Sequence, residues 1–254
     1  MKSIIATSIP AVLAAAGLYH LLNIYTAIHH VSADKISFSS NIPKSFQSST
    51  SVKITNPHNH VPLHDTRFMS VAVPRTLSDE EILSRFIKGF FGGHVFRLER
   101  SVLRATRNEM TRFKAVENTP ISSRYWSVDE LPKHELPPLH SLLFGVWRMT
   151  DKHINNQASQ NAQTTQESYV DLAFGADDWN LAGVHRFIVS RDSSESKIQD
   201  QTSDDTVNVR IEFAHAGCNP RKDERLKPDF LEPLHNLYAI LLFREGVAEV
   251  LKAK

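Results

Sequence analysis

The chain has 254 residues, 41% of them hydrophobic and 22% charged, with a formal net charge of +1. That length holds one well-buried domain and an appendage, and so even a charge balance leaves no basic excess for phosphates, which excludes nucleic acid as a partner. Cys218 is the single cysteine, so no internal disulfide forms and no Cys/His pair stands at zinc-finger spacing.

The strongest local signal comes first. From Ile4 to Ile28 the chain reads IIATSIPAVLAAAGLYHLLNIYTAI, and Lys2 is its only charged side chain before Asp34. About 20 apolar residues of helix cross a bilayer core. Ala14-Ala15-Ala16 resembles a signal-peptide cleavage site, but the apolar run continues past it, which favours an uncleaved anchor. Residues 1–31 are therefore expected to be a single-pass membrane helix, with the endoplasmic reticulum as the expected membrane and the orientation left open by the sparse basic residues. Residues 32–66, rich in Ser, Asn, Pro and His, read as a linker, and residues 67–254 as the globular domain.

Within that domain RFMSVAV (residues 67–73) predicts a strand. Ser78 followed by Asp79, Glu80 and Glu81 predicts a capped helix start with a capping box, and Ile82, Phe86, Ile87 and Phe90 recur at helical spacing. A second helix follows from Val95 to Arg107, with Phe96, Leu98, Val102 and Leu103 at its apolar positions. Four strands are expected next, over 141–150, 168–174, 183–190 and 207–214; the last alternates Val207, Val209, Ile211 and Phe213 with Asn208, Arg210 and Glu212. Two polar inserts, 155–167 and 192–205, read as mobile loops. Asp229 to Lys252 reads as one long helix whose apolar face includes Leu231, Leu234, Leu237, Tyr238, Leu241 and Leu242.

This order gives an α+β fold: a curved antiparallel sheet packed on a long C-terminal helix, with a cavity between them. The layout resembles the helix-grip folds of the START and polyketide-cyclase-like superfamily, which host both enzymes and lipid carriers.

No GxSxG, P-loop or zincin motif occurs, and no cofactor or metal is expected. The candidate catalytic residues are polar groups inside apolar strands: Asp171, His185, Arg186 and His215, with Trp147 as an aromatic wall for a substrate. A histidine beside a carboxylate serves as a general acid or base near neutral pH. Strand alternation sends one of His185 and Arg186 to each face, and Asp171 with Arg186 also reads as a cross-strand ion pair.

The segments SDEEILSRFIKGFFGGHVFRLERSVLR, LPPLHSLLFGVW, YVDLAFG, LAGVHRFIV and LHNLYAILLFREGVAEVL resemble a family of fungal membrane-associated proteins encoded beside polyketide or polyketide–peptide pathways. The resemblance implies a role in secondary-metabolite biosynthesis, as a cyclase-like enzyme that shapes a hydrophobic polyketide-type intermediate alongside other biosynthetic enzymes. The alternatives are a non-catalytic binding or transfer protein for a hydrophobic small molecule, and an accessory subunit of a membrane oxidase.

Overall fold

The computed structural model describes residues 2–155, 166–191, 205–226 and 232–252; the side chains of 2–13, 166 and 232 lie outside the description. In chain order the elements are α1 (Lys2–Ile28), β1 (Ser37–Ser39), α2 (Lys44–Gln47), α3 (Thr50–Thr55), β2 (Leu63–Pro74), α4 (Asp79–Gly92), α5 (Arg97–Thr106), β3 (Arg124–Tyr125), β4 (Leu142–Leu143), β5 (Trp147–His153), β6 (Gln166–Gly175), β7 (Ala182–Arg191), β8 (Thr206–Cys218) and α6 (Glu232–Leu251). The eight strands form one sheet in the order β1-β2-β8-β7-β6-β5-β4-β3, antiparallel except for the short β3–β4 pair.

Strands β5 to β8 form a meander, and β2, from much earlier in the chain, closes onto β8 over its whole length. Side-chain alternation then gives the sheet two characters. Met69, Val71, Phe187, Val189, Ile211 and Phe213 point inward to the main core, where α4 and α6 cover them. Phe86 and Phe90 of α4 bridge the two layers: Phe86 packs on Phe187 and Phe243, and Phe90 on Phe187 and Phe213. Two glycines let α4 and α6 approach: a Cβ on Gly89 would fall 2.4 Å from the Glu245 carbonyl oxygen, and one on Gly246 2.7 Å from the Phe86 ring.

The expectation of a linker over 32–66 is corrected. This stretch folds into β1, α2, α3 and the start of β2, and it covers the other face of the sheet. Ile42 and Phe46 bury against Val184, Ala214 and Ala216, and Ile54 against Ala173 and Ala182. The apolar side chains of this polar segment are too scattered to show a period, yet small residues on the sheet's back leave room to seat Ile42, Phe46 and Ile54. The C-terminal end of α1 is likewise fixed: Ile28 and Val31 are buried, and Arg244 of α6 donates to both their carbonyls at 3.0 and 2.7 Å.

Ser78 caps α4 by accepting from the Glu81 N–H at 3.2 Å, but the expected box is not closed. The Glu81 carboxylate instead binds Arg85 one turn on and His134. Helix α5 also departs from expectation: Phe96 is buried, whereas Leu98 and Val102 are 68% and 61% exposed. In α6 the buried face comprises Ala239, Leu242, Phe243, Val247 and Val250, while Leu234 and Leu237 are 64% and 54% exposed. The expected helix residues Asp229 to Leu231 and most of both polar inserts lie outside the described residues. Among the described residues no helix is long and apolar enough to cross a membrane; part of the expected span falls where side chains are outside the description.

Candidate functional site

The inner face of the sheet carries polar residues at both ends: at one, Ser168 and Arg191 bind Asp79 of α4, and at the other stands a second group. In register across three strands, Asp65 of β2 pairs with His215 of β8, and His215 with His185 of β7. Two residues along β2, Arg67 shares their face. These four side chains floor a cavity of about 120 Å³, roofed by Phe90 and Phe91 of α4, by Phe96, and by His235, Tyr238 and Leu242 of α6, with Trp147 at its side. Aromatic rings therefore wall a polar floor.

Arg67 is the largest fully buried side chain, 1% exposed. Its Nη1 donates to Asp65 at 2.7 Å and its Nη2 to the Asn236 side-chain oxygen at 2.8 Å, while its Nε has no partner. The His185 and His215 rings lie 5.2 Å apart, with Phe174 against both at 4.8 and 5.7 Å. Neither Nδ1 has a hydrogen-bond partner. Burial drives the His185 pKa well below the usual imidazole range, helped by the neighbouring His215, His235 and Arg67 charges. Burial also lowers His215, to about 4, against the opposing pull of Asp65. Both imidazoles are neutral at physiological pH. Three buried polar atoms without partners in one small cavity are unusual, because each such atom costs about 1–3 kcal/mol.

Asp171 and Arg186 do not reach this cavity. They sit on the opposite face, where Arg186 grips Asp171 with two bonds of 2.6 and 2.7 Å. Its guanidinium is sandwiched between Tyr169 and Phe46, 3.9 and 4.4 Å from the ring centres. With every approach occupied by protein, this pair ties α2 to the back of the sheet, and the expectation of a catalytic role for these two residues is corrected on that ground. The structure thus brings together His185, His215 and Trp147 of the residues singled out from sequence. It adds Asp65, Arg67, His235, Tyr238 and Glu99; the Tyr238 hydroxyl donates to Glu99 at 2.5 Å, linking α6 to α5 beside the cavity. Arg67 had a legible signal, since alternation through RFMSVAV puts it on the face of Met69, Val71 and Val73.

Cys218 is buried beside the Thr55 carbonyl at 3.6 Å, and burial raises its thiol to about 11, so it is no thiolate nucleophile. Among the described residues no group of three His, Cys, Asp or Glu side chains stands where it could hold a metal ion. No family model matches the chain, and no curated protein or solved structure compared with it gives a significant match.

A neutral imidazole accepts a proton, and a cation close by stabilises the anion left behind. His185 and His215 beside Arg67 supply that pairing on a buried floor. A substrate with a carbonyl flanked by an acidic C–H would present its oxygen to the Arg67 side of the floor and its carbon to an imidazole.

Proposed function

We propose that the chain is a membrane-tethered protein of fungal secondary-metabolite biosynthesis that binds a hydrophobic, carbonyl-bearing, polyketide-type intermediate and acts on it as a cyclase-like acid–base catalyst. The single observation that carries this reading is the polar floor: two neutral, unpartnered imidazoles next to a buried arginine, under an aromatic roof. Small-molecule sites combine an apolar wall with a few convergent polar groups and perturbed titrations, and a cavity of about 120 Å³ has room for the reacting end of such a ligand. The cavity lies between an antiparallel sheet and a long C-terminal helix, which is the space the helix-grip reading would use for a ligand. Holding a flexible chain folded over the floor would itself lower a cyclisation barrier.

One observation favours a second reading, non-catalytic binding and transfer. Among the described residues no hydrogen bond to Nδ1 orients either imidazole, whereas a general base is ordinarily held by a partner. Proton exchange separates the two. The purified full-length protein, incubated in D2O with a 1,3-diketone carrying an alkyl or aryl tail, should speed deuterium entry at the carbon between the carbonyls. His185→Ala and His215→Ala should lose that acceleration while remaining folded. Binding of the diketone without any acceleration would favour the carrier, and no binding would remove both readings.

A further inference from the structure

Helix α5 has the composition of a buried amphipathic helix and the exposure of a surface one. None of its ten residues is buried. Leu98 and Val102, one turn apart, face solvent with Ala105 on the same side, and Arg97 and Arg104 run along one edge of that stripe. Arg107 follows at the helix end. The side chains of these three arginines make no ion pair or hydrogen bond among the described residues. Among the described residues no acidic side chain pairs with their charge.

The position of α5 is fixed rather than adaptable. Buried Glu245 of α6 accepts from the backbone N–H groups of His94 and Val95 at 2.6 and 3.0 Å, just ahead of the helix. Arg100 donates to the Gly93 carbonyl at 3.2 Å, so the remaining arginine of α5 points into the protein. The exposed stripe therefore cannot roll inward to bury its leucine. Next to it, the exposed Leu234 and Leu237 of α6 flank Tyr238, whose hydroxyl meets Glu99 of α5 at the cavity. Helix α1 runs past the same joint: Ala27 and His94 line one cavity there, and His20 is near enough to His94 for their charges to act on each other.

We propose that α5 and the exposed leucines at the start of α6 lie in the interface of a membrane rich in anionic lipid, so that the cavity beside Glu99 and Tyr238 opens onto the bilayer rather than into water. Interfacial helices have this make-up, an apolar stripe bordered by arginine, and bind through apolar burial and attraction to anionic headgroups. The apolar run of α1 supplies the continuity, because a bilayer that holds α1 passes close to the joint from which α5 starts. A hydrophobic ligand would then reach the polar floor without crossing water. This inference rests on the membrane-anchor reading and is independent of whether the cavity is catalytic.

The test places a polarity-sensitive dye on the full-length chain, using single substitutions Leu98→Cys and Val102→Cys, since Cys218 is buried and unreactive. Lys114→Cys, exposed on the back of the sheet, is the control. The labelled proteins are reconstituted in phosphatidylcholine nanodiscs with and without phosphatidylserine, and their co-flotation with lipid vesicles is measured in parallel. Both stripe positions should shift to the blue and gain roughly twofold or more in emission, with the larger gain where phosphatidylserine is present. Position 114 should not change. Replacing Arg97, Arg104 and Arg107 by Glu should remove the phosphatidylserine-dependent part, with unchanged circular dichroism showing the fold intact. A chain that floats while positions 98 and 102 stay as aqueous as 114 overturns the docking and leaves the anchor standing. A chain that does not float overturns both.

Discussion

His185 and His215 face each other across adjacent antiparallel strands with their ring centres 5.2 Å apart, and neither Nδ1 is hydrogen-bonded. An apolar side chain would keep the packing against Phe174 without leaving a buried Nδ1 unpaired, so a bound ligand would account for two histidines here. Replacing His215 with Leu, which is apolar and of similar size, removes a buried unsatisfied group. Such a change is expected to leave stability unchanged or raise it by about 1 kcal/mol, while abolishing diketone binding or exchange. A stabilised protein that kept full activity would show that this histidine is structural filler.

The same histidines set the acid response. In the unfolded chain an imidazole takes its proton near pH 6.5, but in the fold His215 does so only at about 4. Between those values the unfolded state binds the extra proton, so stability is complete above about pH 6.5 and falls as the pH drops towards 4. His215 alone is expected to account for a loss of about 3 kcal/mol over that window. His185, displaced in the same direction by burial, adds to it. Urea melts at pH 7 and pH 4.5 check this, and His215→Leu should flatten the difference.

On the far side of the sheet the Asp171–Arg186 pair predicts the opposite balance. Asp171→Ala strands a buried guanidinium and should cost about 3–5 kcal/mol. Combining Asp171→Leu with Arg186→Met should recover most of that loss, because burying two apolar groups avoids the desolvation of two charges. Diketone binding by the double variant should match the parent protein. A large loss of binding in a variant that melts normally would mean the back of the sheet is coupled to the cavity.

These contrasts show which parts of the molecule could be read from the chain. Period-two alternation is enough to separate His185 from Arg186 and to place Val209, Ile211 and Phe213 on one face, since neighbours in a strand must point apart. Strands β2, β6, β7 and β8 and helix α4 follow from equally local signals. The single strand expected over 141–150 is instead broken into β4 and β5 by a turn in which Phe144 and Gly145 take positive φ, and β1 and β3 lie outside the expected strands. What escapes is whatever depends on a distant surface. Ile42, Phe46 and Ile54 reveal themselves as a second layer only when the small residues Ala173, Ala182, Ala214 and Ala216 are assembled beneath them. Likewise the helical spacing of Leu98, Val102 and Leu237 implies an apolar face without saying what covers it, and among the described residues nothing does. Asp65, His235 and Glu99 join the site from three separate elements, and no spacing in the sequence announces that meeting.

The approach of α4 to α6 gives the last prediction. Alanine favours a helix interior over glycine by about 1 kcal/mol, so Gly246→Ala would stabilise α6 if space allowed. Space does not allow it: the new Cβ would lie 2.7 Å from the Phe86 ring. That ring cannot swing away, because Phe90, Phe187 and Phe243 hold it on separate sides. Overpacking of this kind costs about 1–3 kcal/mol and outweighs the helical gain. Net destabilisation is therefore expected, read as a lower urea midpoint with unchanged slope. Phe86→Leu should itself destabilise by leaving a void, yet the pair Phe86→Leu with Gly246→Ala should cost less than the sum of the two, since the methyl enters space the ring has vacated. Additive losses would mean that the helices separate rather than clash, and in that case the cavity, which α4 and α6 roof together, should widen and bind the diketone more weakly in the single Gly246→Ala variant.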